Sequence, residues 1–166
     1  VKDFPYGEKP DEWNQVFADA LTDLHLNGKK IGMEPGSLRM LEYGLLQAAA
    51  PDARFVAAGE TIGSLRLCKD ADEVDAIRRA VIIAQKALTN TIPLIKIGMT
   101  EKDIAAELTL QLLHSGSDPE IPFSPIVSGG LNAANPHAAP GSRQLQAGDM
   151  LVIDWGAAFD GYTSDL

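Results

Sequence analysis

The sequence is poor in cysteine and in positive charge. It has one cysteine, Cys68, so no disulfide can form within the chain, and a reducing compartment such as the cytoplasm is the simplest setting for it. The 14 Lys and Arg residues are outnumbered by 23 Asp and Glu residues, for a net charge of −9. Nucleic acids and anionic membranes both select basic surfaces. The composition therefore predicts neither partner.

Long apolar runs are lacking as well. No stretch approaches the roughly 20 apolar residues that a transmembrane helix requires, although 45% of the residues are hydrophobic, which is enough for real cores. With 166 residues, the chain can hold one ordinary domain or parts of two. Because Cys68 follows an apolar stretch, we expect it to be a small core residue rather than a nucleophile.

The first half alternates helical and extended patterns. Apolar spacing predicts a helix that Asp11 caps and Gly28 ends, and a second one that Ser37 starts and that ends before Pro51. Short strands are predicted at 30–34 and 54–58. The glycine-rich turns between them lack the phosphate-binding fingerprint, so this α/β unit is not expected to bind a nucleotide.

A domain boundary is predicted near Lys69. Asp70 and Glu73 have the spacing of a capping box, and they open a helix that runs to about Thr91. A second box, formed by a Thr and an Asp three residues later, opens another helix within 100–116. We expect the two helices to form an outer layer on the sheet that carries the C-terminal hairpin.

The last seventeen residues carry the strongest chemical indication. Four apolar residues, 150–153, lead into Asp154, and a second run leads to Asp165. A carboxylate at the end of a buried strand is costly unless it is protonated, hydrogen bonded or bound to a metal. The Asp160-Gly161 pair between the runs predicts a two-residue type I′ turn, because both residue types tolerate positive φ.

This turn defines the register of the hairpin. Asp165 falls opposite Gly156, and Asp154 lies two residues from Gly156 on the same face. Diagonal neighbours are about 7–8 Å apart, so the two carboxylates can share one or two cations, and Gly156 is expected to leave that space open. In the alternative interpretation Asp154 ends a strand, Asp160 makes the turn and Asp165 is solvated. Two aspartates converging on one strand end favour the metal site.

One histidine stands apart from the other two. His137 lies in a loop punctuated by Pro and Gly, residues 135–141, where a side chain can be held over a pocket. His25 and His114 lie in helical segments and are expected to be surface or half-buried residues. Trp155 points to the face opposite its aspartate neighbour, because side chains alternate along a strand, so we expect it to pack.

The spacing of these residues resembles that in the pita-bread metallopeptidases, the family of Xaa-Pro dipeptidase, aminopeptidase P, methionine aminopeptidase and creatinase. The family's first metal-ligand hairpin has an Asp, a Gly two residues on, a Gly-Tyr pair and a second Asp eleven residues after the first. In this sequence the hairpin pattern is filled by Asp154, Gly156, Gly161-Tyr162 and Ser164-Asp165. Upstream, Asn135-Pro136-His137 matches the position of the family's substrate-side histidine, and Arg143 to Asp149 resembles the connector between the two. Residues 65–74 resemble the exit from a creatinase-type N-terminal domain.

The resemblance implies an α/β (α+β) fold. Residues 1–69 would be part of a creatinase-like N-terminal domain, and residues 70–166 the N-terminal part of the pita-bread catalytic domain. Family members carry a His and two Glu metal ligands well downstream of the second Asp. The chain is therefore expected to be a middle fragment that is inactive by itself.

The resemblance also implies a reaction, the hydrolysis of Xaa-Pro peptide bonds with two divalent metal ions. Asp154 would chelate one metal, Asp165 would bridge both, and His137 would contact the substrate without being a ligand. Such donors suit Mn²⁺ or Co²⁺, with Zn²⁺ as the alternative. The implied substrates are small peptides with proline at the second position, and the implied assembly is a cytoplasmic homodimer.

Two other functions fit the same scaffold. One is a different metal-dependent enzyme, such as a lyase or an amidinohydrolase-like protein; creatinase itself works without metal and does not keep these aspartates. The other is a non-catalytic binding protein, although such relatives tend to lose metal ligands. The sequence leaves open the choice between dipeptidase and aminopeptidase, the metal and the oligomeric state.

Overall fold

The computed structural model describes residues 2–166. It divides into two compact units, the first ending at Cys68 and the second spanning Lys69–Leu166. None of the helices in the described residues combines the length and the apolar character needed to cross a bilayer.

The first unit alternates helices and strands as predicted. Its elements are α1 (Pro10–Asp23), β1 (Lys30–Met33), α2 (Met40–Ala49), β2 (Arg54–Ala57) and α3 (Gly59–Leu67). Strands β1 and β2 pair in parallel, with Lys30 opposite Arg54, and α1 packs on α2.

Three boundaries in this unit differ from the predictions. Helix α1 has Lys9, not Asp11, at its N-cap and Pro10 at its first position, where a missing N–H costs nothing. The helix ends at Asp23, and His25 lies beyond it with φ +54°, outside the helix in which it was predicted. Helix α2 begins three residues after Ser37, whose N–H instead donates to the Glu34 carbonyl in a preceding turn.

Helix α3 was not predicted, and the expectation for Cys68 was wrong. No residue of α3 is buried, and Leu65 and Leu67 are 79% and 78% exposed. Because the helix buries no apolar stripe, the sequence carries no helical periodicity there. Cys68, directly after it, is an exposed free thiol and not a core residue.

The second unit places two long helices against short antiparallel strands. Its elements are α4 (Ala71–Thr91), α5 (Glu101–His114), β3 (Ile126–Gly129), β4 (Leu151–Asp154), β5 (Ala158–Phe159) and β6 (Tyr162–Thr163), with 3₁₀ turns at Ile92–Leu94 and Gly130–Ala134. Strand β3 pairs with β4 and β5 with β6. Helix α4 packs on α5, β5 and β6, and α5 packs on β3, so the predicted helical layer is confirmed.

Both predicted capping boxes are present. The Asp70 carboxylate accepts from the backbone N–H groups of Asp72 and Glu73, and the Glu73 carboxylate accepts from the Asp70 N–H at 2.7 Å. Thr100 and Asp103 form the same reciprocal pair at the start of α5. These caps satisfy N–H groups that have no partner within the helix.

Small side chains form the buried face of α4. Its buried residues are Ala76, Ala80, Ala84, Ala87 and Thr91. Short side chains let the C-terminal strands come close to the helix backbone. The core here joins α4, Leu108 and Leu112 of α5, and Ala157, with Ile153 and Trp155 packed against it.

Candidate metal centre

The C-terminal hairpin has the predicted turn and register. Asp160 and Gly161 have φ values of +50° and +77°, as a type I′ turn requires. Phe159 pairs with Tyr162 and Ala158 with Thr163. Beyond the strands, the same register continues through two backbone hydrogen bonds that Trp155 and Leu166 exchange, at 3.2 and 3.1 Å.

This register brings the two predicted metal ligands to one face. Asp165 falls opposite Gly156, and Asp154, the last residue of β4, lies one diagonal step away on the same side. Asp165 is exposed and Asp154 is half-buried. Across the described residues, Asp154 Oδ1 is buried and finds no hydrogen-bond donor.

An unpartnered buried carboxylate oxygen fits a cation site. A buried polar group without a partner costs about 1–3 kcal/mol of stability, and a charged group costs more. A divalent cation supplies the missing interaction, and carboxylate oxygens are ligands that Mg²⁺ and Mn²⁺ prefer. Asp154 and Asp165 thus have the chemistry of a pair of metal ligands.

Gly156 does not leave the space open, as the sequence had led us to expect. A Cβ atom on this buried residue would collide with the Ser164 carbonyl oxygen and would lie 2.8 Å from Pro122 Cγ and 3.2 Å from Phe123 Cε1. Glycine is therefore required for the close approach of backbone to backbone, because neighbouring groups fill the position.

Two side chains fix the hairpin to α4. The Ser164 hydroxyl, in a residue 4% exposed, accepts from the Ala157 N–H at 3.0 Å and donates to the Ala80 carbonyl at 3.3 Å. The Trp155 Nε1–H donates to the Ala84 carbonyl at 2.9 Å, which confirms the predicted packing role of Trp155. Because each anchor is the sequence neighbour of an aspartate, both carboxylates lie beside a fixed backbone.

A third anchor, which the sequence analysis missed, uses a phenol. The Tyr162 hydroxyl donates to Glu73 Oε1 at 2.7 Å, while Glu73 Oε2 completes the capping box of α4. The hydrogen bond to the Glu73 carboxylate raises the pKa of Tyr162 above its ordinary value, and burial adds to this effect. One carboxylate thus serves both the hairpin and the helix start.

His137 does not join this pair of carboxylates in a metal-binding cluster among residues 2–166. It is exposed and follows the 3₁₀ turn at Gly130–Ala134, and its backbone N–H donates to Asn135 Oδ1 at 3.1 Å. Within residues 2–166, no three His, Cys, Asp or Glu side chains form a group that could hold a metal ion. The role of His137 at the substrate stays a prediction.

The connector after this loop is held by a bidentate ion pair. Arg143 donates to both oxygens of Asp149, at 2.8 and 2.9 Å, and this bonding lowers the pKa of the Asp149 carboxyl. The guanidinium lies against Gly129 and Gly130, where any Cβ would collide with it. Gly130 also has φ +54°, so two constraints require glycine there.

Among known protein families, residues 75–166 match metallopeptidase family M24. The chain is 30% identical to an uncharacterised peptidase of Bacillus subtilis, YqhT, over all of this chain and 46% of that protein. It is also 30% identical to an Xaa-Pro dipeptidase of Lactobacillus helveticus, over 98% of this chain and 44% of that one.

The fold has solved counterparts. The crystal structure of an X-Pro aminopeptidase from Thermotoga maritima matches with a TM-score of 0.83 and 29% identity, over 99% of this chain and 45% of that one. The chain thus spans slightly less than half the length of each of these relatives.

Proposed function

Because the chain belongs to metallopeptidase family M24, we propose that the complete protein is a metal-dependent peptidase that hydrolyses Xaa-Pro bonds. The observation that carries this proposal is the pair of aspartates on one hairpin face, one of them with a buried oxygen that has no partner among residues 2–166. The substrate class is supported by relatives named Xaa-Pro dipeptidase and X-Pro aminopeptidase.

The aspartates and the histidine have different roles in this proposal. Asp154 and Asp165 would hold the divalent cations, Asp165 as the ligand shared between two of them, with Mn²⁺ or Co²⁺ preferred over Zn²⁺. Cations held there would supply Lewis-acid chemistry, which lowers the pKa of a water and polarises a carbonyl group. His137, on its exposed loop, donates a hydrogen bond to the substrate.

The setting of the protein is also part of the proposal. The substrates are small peptides with proline at the second position, and the protein works as a homodimer in the cytoplasm. Size-exclusion chromatography with light scattering tests the dimer, and metal analysis of the same preparation tests the site.

A matched set of peptides tests the function. The complete gene product, loaded with Mn²⁺, is given an Xaa-Pro dipeptide, an Xaa-Pro-Yaa tripeptide, and both peptides with alanine in place of proline. We expect cleavage of a proline peptide and little cleavage of its alanine counterpart. Cleavage of the dipeptide alone identifies a dipeptidase, and cleavage of the tripeptide an aminopeptidase.

Two outcomes would contradict the proposal. If no peptide is cut while two metals are bound, the protein catalyses another reaction, such as that of a lyase or an amidinohydrolase. If no peptide is cut and no metal binds, the protein is a binding module. Metal content measured on the same preparation separates these outcomes.

A further inference from the structure

Glu101 is a buried acid without a role in the proposed metal site. It is the first residue of α5, a position where acidic side chains are normally solvated and interact with the helix dipole. Here the residue is 2% exposed. A buried charge of this kind requires full hydrogen bonding to be tolerated.

Three donors from a distant segment satisfy this carboxylate. Glu101 Oε1 accepts from the Gly129 N–H at 2.8 Å and from Asn132 Nδ2 at 3.0 Å, and Oε2 accepts from the Gly141 N–H at 2.9 Å. Gly129 ends β3, and Gly141 follows the loop that contains His137. A single side chain therefore binds both ends of the segment from Gly129 to Gly141, which we call the histidine loop (residues 129–141).

Backbone bonds tighten the far end of the loop. The Lys102 N–H donates to the Gly141 carbonyl at 3.2 Å, and the Glu101 N–H donates to the Arg143 carbonyl at 3.1 Å. A Cβ on Gly141 would lie 3.2 Å from Glu101 Oε2. The end of the loop therefore lies directly on the first turn of α5.

The charge state of Glu101 agrees with this arrangement. Burial by itself would raise the pKa of the carboxyl, but the hydrogen bonds from Gly129, Asn132 and Gly141, together with the Arg143 charge, outweigh burial and lower it. The ionised form accepts at both oxygens, whereas an amide at this position has one acceptor and one donor. Glutamine therefore cannot accept at both ends of the loop.

We propose that Glu101 is a positioning residue that holds the two ends of the histidine loop together, so that His137 contacts the substrate from a fixed position. The inference rests on the proposed function only in taking His137 to act on substrate. Within the loop the backbone is ordered locally by Asn135, which accepts from the His137 N–H. The Glu101 side chain adds the bonds that tie the two ends of the loop to each other.

The first test measures the loop itself and needs no activity. Hydrogen–deuterium exchange is followed in the complete protein and in its E101Q and E107Q variants. Glu107 lies on the same helix, is half-buried, and accepts a local bond from Gln111 at 2.8 Å. E107Q therefore makes the same charge change without touching the loop. We expect exchange in residues 129–141 to be at least about 10-fold faster in E101Q, which corresponds to about 1.4 kcal/mol, and unchanged in E107Q. Equal exchange in all three proteins would overturn the proposal.

The second test connects the loop to the histidine. We expect E101Q to lower kcat by about 10- to 100-fold, as small misplacements do, with KM and metal content little changed. In an H137A background, E101Q should cost little more, because the group that it positions is already gone. Additive losses would show that Glu101 acts independently of His137 and would overturn the assignment.

A milder variant covers the case in which E101Q fails to fold. N132A removes one donor and leaves the carboxylate and both glycine bonds in place, so we expect a smaller effect in the same direction in both tests. If N132A changes neither exchange nor kcat, the proposal is wrong. If the parent protein cleaves no peptide, the proposed function fails, while the exchange result still decides whether Glu101 closes the loop.

Discussion

At the scale of single residues, two buried polar atoms on the same strand face have no partner. Asp154 Oδ1 and Ser128 Oγ both lack a hydrogen bond throughout the described residues. Ile126 is opposite Asp154, and Ser128 is opposite Val152, so both side chains point to one side of the β3–β4 pair. Such groups are satisfied in proteins by an ordered water or an ion, and the aspartate pair supplies the charge for a cation.

Replacing Asp165 tests the shared-ligand role. We expect D165N to lose two-metal binding, measured by elemental analysis of the purified protein, and to reduce peptidase activity to background. Asp160 is the matched control, because it lies in the same hairpin and asparagine tolerates its φ of +50°. D160N should keep both metals. Full activity in D165N would contradict the proposal that Asp165 is a ligand shared by two metals.

Replacing His137 tests the substrate-side role. Loss of a hydrogen bond that forms in the transition state typically costs about 100- to 1000-fold in kcat. We expect a loss of this size in H137A with metal content near normal. H114A, at the exposed C-terminal end of α5, should behave like the parent protein. If H137A loses metal, the residue is a ligand and its predicted role is wrong.

At the scale of elements, the site depends on how closely the hairpin is joined to α4. The alanine face of the helix lets the Ser164 and Trp155 side chains reach backbone carbonyls of Ala80 and Ala84. The helix start is tied to the same hairpin through Glu73 and Tyr162. Helix and hairpin therefore form one rigid support, in which backbone shifts are costly because the interior is densely packed.

The contribution of the hydrogen bond from Tyr162 to Glu73 can be measured as a coupling free energy in a double-mutant cycle. We expect Y162F to lower the free energy of unfolding by about 1 kcal/mol, the usual value of one net hydrogen bond, as measured by urea denaturation. In the E73Q background, where glutamine still completes a capping box, Y162F should cost less. Strict additivity of the two changes would mean that the bond contributes nothing to stability.

At the scale of the whole chain, the likeness to known structures confirms the predicted family and fold class. The chain superposes on an X-Pro aminopeptidase structure along 99% of its length, and the structure divides after Cys68. The identification of residues 1–69 as a creatinase-like domain and of residues 70–166 as the start of a pita-bread domain stays a prediction, as do the metal, the dimer and the cytoplasmic location.

Acid should destabilise the second unit. Hydrogen bonds from Thr100 lower the pKa of Asp103, bonds from Arg143 lower that of Asp149, and the bonds to Glu101 outweigh its burial. Because these pKa values are lower in the folded chain than in the unfolded chain, their stabilisation is complete above the unfolded values, about 4. It is lost as the pH falls through the lower folded values.

Tryptophan fluorescence follows this loss. In a W13F variant, Trp155 reports the second unit alone, since Trp13 lies in α1 of the first. We expect the urea midpoint to fall steadily between about pH 5 and pH 3, and to fall less steeply when E101Q is added. A midpoint that does not change with pH in this range would contradict the assigned hydrogen bonds.

Features whose causes lie within a few residues follow from the amino-acid sequence alone. The Asp160-Gly161 turn, the register that brings Asp154 and Asp165 to one face, and the two capping boxes follow from local backbone preferences. The spaced set of residues at the C-terminus also identified the family. Boundaries without such local determinants, as at Ser37, were misplaced.

Which groups are buried, and by which neighbours, depends on long-range contacts. The packing of Gly156 against Pro122 and Phe123, the unpartnered oxygen of Asp154, and the attachment of the histidine loop to Glu101 all depend on residues brought together from distant parts of the chain. Burial and hydrogen-bond satisfaction are properties of these long-range contacts, which periodicity and spacing do not encode. For the same reason the sequence showed Glu101 only as the first residue of a helix, whereas its carboxylate binds both ends of the histidine loop.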